Sequence, residues 1–229
     1  MWPSMETSLH RLLKTHYAQG GARYEVPLGA YRIDVLNPNE LVEIQHGSLA
    51  AIRRKIESLV VEHRVRVVKP IILRKTIVRL SGQEGTEVGR RLSPKQGKLI
   101  DIFDELVYFR TIFPHPQLVI DVPLVEIEEI RYPGHGRRRR WRENDFVVQD
   151  QRLVTVHELH TLASPEDLVA ILPAELPRPW HTGELAEQSG VRRVIAQRIA
   201  YCLRHMGASR EVGKRGNAKL YDFTRRRAA

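Results

Sequence analysis

YEVPLGAYRIDVLNPNELVEIQHG, residues Tyr24 to Gly47, reads as two or three short strands in succession: Tyr24 to Val26, Tyr31 to Leu36, and Glu40 to Gln45. Each is rich in β-branched and aromatic residues, the types that suit a pleated, half-buried surface. Pro27, Gly29 and the cluster Asn37-Pro38-Asn39 supply the turn chemistry between them. Side chains alternate across a strand, so Glu43 and Gln45 share a face with Leu41, while Val42 and Ile44 point to the other. Asp34 lies nine residues before Glu43, near the end of the preceding strand. A hairpin between the two strands brings the carboxylates side by side, where they repel unless a cation sits between them.

Hard divalent cations such as Mg²⁺ prefer carboxylate oxygens, and a water they retain is a nucleophile for phosphodiester hydrolysis. Asp34 and Glu43 are therefore a candidate metal pair. Asp34, the Glu43-Ile44-Gln45 triplet on the next strand and the helix that follows resemble the core of the PD-(D/E)XK nuclease superfamily, the restriction-endonuclease-like fold. The resemblance implies an α/β protein with an αβββαβ core. It also implies Mg²⁺ (or Mn²⁺) held by Asp34, Glu43 and the carbonyl of Ile44. The family pattern ends in Glu-x-Lys, and here Gln45 stands where Lys is usual, as it does in some restriction endonucleases. The catalytic set implied is Asp34, Glu43 and Gln45. The lysine's task of polarising the scissile phosphate passes to a cation on the following helix, Lys55 or Arg54. Some members, Holliday junction resolvases among them, keep an extra glutamate beside the metal; Glu6 or Glu25 fills that place here.

The chain has 229 residues, of which 42% are hydrophobic, enough to bury a real core. Its net charge of +10 favours a polyanionic partner, nucleic acid before an anionic membrane. Cys202 is the single cysteine, which excludes an intramolecular disulfide and a cysteine-based zinc site. No signal peptide and no apolar run of spanning length is evident, so the expectation is a cytoplasmic protein without membrane contact.

Ser8 to Ala18 places Leu9, Leu12, Leu13 and Tyr17 at helical spacing, and Gly20-Gly21 ends that helix. Ser48 to His63 forms a second helix capped by Ser48, with Arg53, Arg54 and Lys55 available to lean toward the metal pair or toward DNA. Val65 to Leu80, interrupted by Pro70, reads as one or two further strands. Ser81 to Gly97 reads as a loop whose Arg90, Arg91 and Lys95 suit phosphate contacts. Lys98 to Ile112 reads as a helix, and Leu118 to Ile130 as a strand or two. Arg137, Arg138, Arg139, Arg140 and Trp141 then offer charge and a stacking face for a nucleic-acid strand. His157 and His160 lack the spacing and the third ligand of a zinc site. Ser164 caps a short helix, and Leu176 to Pro179 is a proline-rich linker.

The last fifty residues form a second organised unit. Thr182 to Gln188 is a short helix capped by Thr182, Ser189-Gly190-Val191 a turn, and Arg192 to Met206 a longer helix. This is the layout of a helix-turn-helix, which directs Arg192, Arg193, Gln197 and Arg198 at DNA. Arg210 to Phe223 reads as a hairpin with Lys214 and Arg215 near its tip, similar to the wing of a winged-helix domain. From 181 to 229 there are eleven Lys and Arg against four Asp and Glu, so much of the net charge lies here.

The expected organisation is a nuclease-like domain over 1–130, a basic connector with a short helix over 131–179, and a winged-helix domain over 180–229. The expected activity is metal-dependent DNA cleavage. The alternative is a DNA-binding or regulatory protein that keeps the nuclease fold as a scaffold without cutting. RNA is a rival polymer, and many enzymes of the resembled family cut both strands as homodimers.

Overall fold

The computed structural model describes residues 6–134 and 145–224. The chain is mixed α/β, and among the described residues eight strands form one large mixed sheet. Helix α1 (Ser8–Tyr17) comes first, its N-terminus capped by Thr7, whose side chain accepts from the His10 amide. Strands β1 (Arg23–Leu28), β2 (Tyr31–Asn37) and β3 (Glu40–Ile44) follow as an antiparallel meander. Both turns are two residues long, and Gly29, at φ +57°, supplies the left-handed residue of the first. Pro27, expected as turn punctuation, lies within β1 opposite Arg32. It is tolerated because β1 is the edge of the sheet, where a missing N–H costs no ladder bond.

After β3 the chain makes a 3₁₀ turn at Leu49–Ala51, with the Ser48 side chain accepting from the Ala50 amide, and then helix α2 (Arg53–Leu59). Strands β4 (Val65–Val68) and β5 (Ile71–Leu80) come next, then β6 (Glu87–Leu92). The expected loop over 81–97 is thus partly a strand: β6 pairs antiparallel with β5, and Arg90 and Arg91 stand on it.

The expected continuous helix over 98–112 is a 3₁₀ turn at Leu99–Ile102, the single-turn helix α3 (Phe103–Leu106), and another 3₁₀ turn at Val107–Phe109. Ile100, Ile102, Phe103, Leu106, Phe109 and Ile112 of this segment are buried.

Strand β7 (Leu118–Pro133) is the spine of the sheet. Along one edge it pairs antiparallel with β8 (Phe146–Leu162), a long strand inside the stretch expected to be a connector. Its other edge takes β4 alongside Leu118–Asp121 and β5 alongside Leu124–Arg131, both parallel. β4 and β5 therefore behave as one strand broken at Lys69-Pro70, where proline has no N–H for the ladder. Three register shifts run along β8. They blur the two-residue alternation by which a strand is recognised.

Helix α4 (Pro165–Ala170) opens on the expected cap Ser164, which forms a capping box with Asp167. Helices α5 (Thr182–Ser189) and α6 (Arg193–His205) and the hairpin β9 (Ser209–Arg215) and β10 (Ala218–Phe223) complete the fold. The cap of α5 is His181 and not Thr182: its Nδ1 accepts from the amides of Gly183 (3.0 Å) and Glu184 (3.2 Å). Gly190, left-handed at φ +61°, turns the chain into α6.

The core lies on both sides of the sheet. On one, Leu9 and Leu13 of α1 meet Val35, Val42, Ile44, Val68, Val125 and Ile127. On the other, Leu41, Val67 and Ile120 join Ile56, Phe103, Trp180, Ile199 and Leu203 in one continuous cluster. The last fifty residues therefore share their core with the sheet. Each such side chain is worth about 1.5–3 kcal/mol on burial. No helix among the described residues is long and apolar enough to cross a membrane.

Candidate active site

The β2–β3 ladder pairs Asn37 with Glu40, Leu36 with Leu41 and Val35 with Val42, and then it stops. β3 continues in parallel register with β4 alone. The Ile44 amide, freed from β2, donates instead to Asp34 Oδ2 at 2.8 Å. On the other side of the carboxylate, His10 Nε2 lies 3.4 Å from Asp34 Oδ1. Burial alone pushes the Asp34 carboxyl up, but the bonds from His10 and the Ile44 amide, with nearby positive charge, hold it below its ordinary value.

Glu43 is shifted the other way. It is 4% exposed, and burial first and the Asp34 charge second raise its pKa to about 7; Lys55 offsets this only in part. Lys55 Nζ, from α2, is 2.5 Å from Glu43 Oε1 and also donates to the Arg32 carbonyl. That contact is a close ion pair, so a cation already lies against Glu43 Oε1. The two carboxylates thus answer to different pH windows. A carboxyl whose folded pKa is raised contributes stability below its unfolded value of 4.5 and loses it as pH rises through about 7. Asp34, lowered from 3.8, contributes stability above that value and loses it in acid. In chelator, the melting temperature of the wild type should fall between about pH 5 and about pH 8. Glu43→Gln should flatten that slope; equal slopes in scanning calorimetry would contradict the Glu43 assignment.

α1 and the residue just before its cap contribute three more groups: His10 and Lys14 on the helix, four residues apart on one flank, and Glu6 ahead of Thr7. Lys14 Nζ is bonded to Glu25 Oε1 at 2.5 Å and also to Glu6. Burial opposes its charge, but the bonds to Glu25 and Glu6 win, and its pKa lies above the ordinary value. Glu25 stands across the β1–β2 ladder from Asp34, between the pairs Tyr24–Val35 and Val26–Ile33. Its φ of +53° is the sole positive value for a non-glycine among the described residues. Such a backbone costs on the order of 1–3 kcal/mol and gathers at functional sites. Arg32 Nε meets the other oxygen of Glu25 at 2.7 Å.

Of the residues expected at the site, Asp34, Glu43, Lys55, Glu25 and Glu6 are drawn into this network. Gln45 turns its amide to the Ser48 carbonyl, 2.9 Å away, and Arg54 is exposed on α2 with Arg53 half-buried beside it. Among the described residues no group of three or more His, Cys, Asp or Glu is arranged to hold a metal ion. The ammonium groups of Lys14 and Lys55 lie among the carboxylates instead.

A second brace, on residues the sequence did not single out for the site, fixes the turn after the triplet. Lys69, itself buried, donates to the carbonyls of His46 (2.9 Å) and Gly47 (2.5 Å). Glu105 accepts from Ser48 Oγ (3.0 Å) and the Leu49 amide (2.8 Å). A polar residue next to Pro70, where the sheet breaks, was the available signal for Lys69. Beside Glu6, a cleft of about 510 Å³ opens between α1 and β5 to β8, with Arg11, Arg90 and Arg152 on its walls. Neither Asp34 nor Glu43 lines it.

Arg192 at the N-cap of α6 and Arg193 and Gln197 on it are exposed, as is Lys214 on β9. Arg215 pairs with Glu184 at 2.9 Å, and Arg198 is bonded to Asp104 of α3, so its head is directed at the body of the protein. Arg137, Arg138, Arg139, Arg140 and Trp141 lie outside the described residues.

A family model described as "Domain of unknown function (DUF8091)" matches residues 7–163, which run from the cap of α1 to the end of β8. An uncharacterized protein of Treponema pallidum (strain Nichols) is 30% identical over 218 residues, covering 94% of this chain and 84% of that protein. No solved structure matches the chain.

Proposed function

We propose that this chain, which belongs to the DUF8091 family, is a metal-dependent DNA endonuclease. In this reading it has a restriction-endonuclease-like αβββαβ core and a C-terminal winged helix that holds DNA. The observation that carries the reading is the buried Glu43 carboxylate, raised to about 7 beside Asp34 where the β2–β3 ladder opens, with a lysine against it. A carboxylate so placed is costly unless a cation or a proton compensates it. Lys55 supplies only part of that compensation, since the pKa stays raised at about 7. Element order supports the core: α1, three antiparallel strands, α2, then β4 parallel to β3.

Asp34, Glu43 and the Ile44 carbonyl would hold Mg²⁺ or Mn²⁺. When bound, the ion supplies Lewis-acid polarisation of the phosphate and a water of lowered pKa. The protein's own residues do the rest. Lys55 takes the role that the resembled family gives to the lysine of Glu-x-Lys: its ammonium neutralises charge on a phosphate oxygen that approaches Glu43. His10 and the Ile44 amide fix the orientation of Asp34. Gln45 closes the turn on Ser48, and Lys69 and Glu105 hold that turn in place. Exposed Arg192, Arg193, Gln197 and Lys214 offer phosphate contacts.

The second reading, a DNA-binding protein that does not cut, is favoured by one observation: the Gln45 amide is spent on Ser48. Supercoiled plasmid, linear duplex and a branched junction, each incubated at low salt with Mg²⁺ or with EDTA, separate the two. Cleavage that requires the metal is expected. Binding to all three without cutting, with Mn²⁺ also tried, would leave only the second reading standing.

A further inference from the structure

The edge strand of a sheet is a template for another strand unless lysine, proline, brevity, a bulge or a covering element blocks it. β8 is such an edge. It pairs with β7 along one side, and no strand lies along its other side among the described residues. At 17 residues it is not short, and it contains neither lysine nor proline. Bulges defend it in part, since Gln149, Val154 and His157 stand opposite no residue of β7. They do not close it. Val154 to Leu159 are exposed one after another, with Val154 53%, Val156 38% and Leu159 49% open to solvent. The whole chain carries a net charge of +10 and repels its own copies, but this strand is not basic. Arg152 is its one Lys or Arg, against Asp150 and Glu158.

We infer that β8 is the contact surface for a second copy of this chain, the two strands pairing antiparallel about a twofold axis at Thr155. Its residues commit the edge to its own copy because they are self-complementary in that register. With Thr155 facing Thr155, Val154 faces Val156, Leu153 faces His157 and Arg152 faces Glu158. The twofold makes each of those contacts twice. The Arg152 and Glu158 side chains are 61% and 63% exposed, so both are accessible to a partner strand. Every other register parts them. Moving the axis one residue earlier sets Asp150 against Glu158, and one residue later sets Arg152 against His160. The pairing stops short of Asp150, whose carboxylate already accepts from Ser8 and from the Gln151 amide. Main-chain bonds along 152–158 supply the affinity, and the side chains fix the register. Such pairing is independent of whether the chain cuts DNA, so its failure leaves the proposed function standing.

The test is sedimentation velocity over a concentration series of the full chain, with circular dichroism as the folding control. It takes wild type, Arg152→Glu, Glu158→Arg, the double reversal and Val154→Lys. Wild type is expected to dimerise. Each single reversal sets like charges face to face twice over and is expected to raise the dimer dissociation constant at least about tenfold. The double reversal restores opposite charges and is expected to return that constant to within about threefold of wild type. Val154→Lys places a charge beside the axis on an exposed position and is expected to leave a monomer. A wild type that stays monomeric at every concentration overturns the inference and leaves the edge to a strand of another protein. So does a dimer that the single reversals and Val154→Lys do not weaken, and so do single reversals that the double does not rescue. Should the reversed chains not fold, Val154→Lys alone decides: a weakened dimer supports the inference, an unchanged one overturns it.

Discussion

On the proposed reading, Asp34→Ala is expected to lose metal-dependent DNA cleavage by more than about 100-fold, while its affinity for duplex DNA in EDTA is expected to stay within about twofold. The bound follows from its place in the site, since removal of partners one shell further from a metal already costs about 10- to 100-fold. Two effects on folding oppose each other. The variant strips the Ile44 amide of its acceptor, which costs about 1–3 kcal/mol for a buried donor. It also removes the negative charge that helps to raise Glu43, and so relieves repulsion. Asp34→Asn, which keeps an acceptor for Ile44, separates the two contributions, and a melting curve for each variant shows that the fold survives. Cleavage by folded Asp34→Ala at the wild-type rate would end the assignment of this carboxylate, whatever became of the nuclease activity.

Trp180→Ala is expected to cost about 3–5 kcal/mol in stability, the range for truncating a large aromatic in a packed core. In urea this is a fall of roughly 1–2 M in midpoint. Trp180 is fully buried. Its backbone pairs with Tyr221 through two hydrogen bonds of 2.9 and 2.7 Å, and its ring lies 5.0 Å from that of Tyr221 and 5.8 Å from that of Phe223. It belongs to the same cluster as Phe103, Ile120 and Ile199, so the loss should register throughout the sheet. One cooperative transition at lower denaturant is the expected trace. Two transitions in the wild type, with only one moved by the substitution, would show that the last fifty residues fold on their own.

The hairpin that carries Asp34 and Glu43 was legible because strand alternation and turn residues act over a few positions. Lys55 was legible for a similar reason, on the helix that directly follows the triplet. The contact of Lys14 with Glu25 was not. It depends on the register between β1 and β2 and on a left-handed backbone at a glutamate, a conformation the residue type disfavours. β8 escaped notice because its three register shifts break the alternation of apolar and polar positions. Over 98–112 the apolar positions fit helical spacing, and whether a turn closes on the third or the fourth residue is decided by packing against the sheet, so short 3₁₀ turns read as a helix. Arg198 reads equally well as facing outward or inward on a helix, and Asp104, 94 positions away in the chain, decided it.

The continuous core beneath α6 bears on how a nucleic acid would be handled. Two bodies on a tether sample many separations, so a strand gripped by one meets the other at varying distances. Here Ala196, Ile199 and Leu203 of α6 are packed into the cluster that also holds Leu41, on the strand that carries Glu43, and Val67, paired with Glu43 on β4. On the proposed reading, grip and cut are set by one rigid piece, and the chain works as a ruler. The break falls at a constant offset from the footprint of α6, and changing that offset requires repacking the interior.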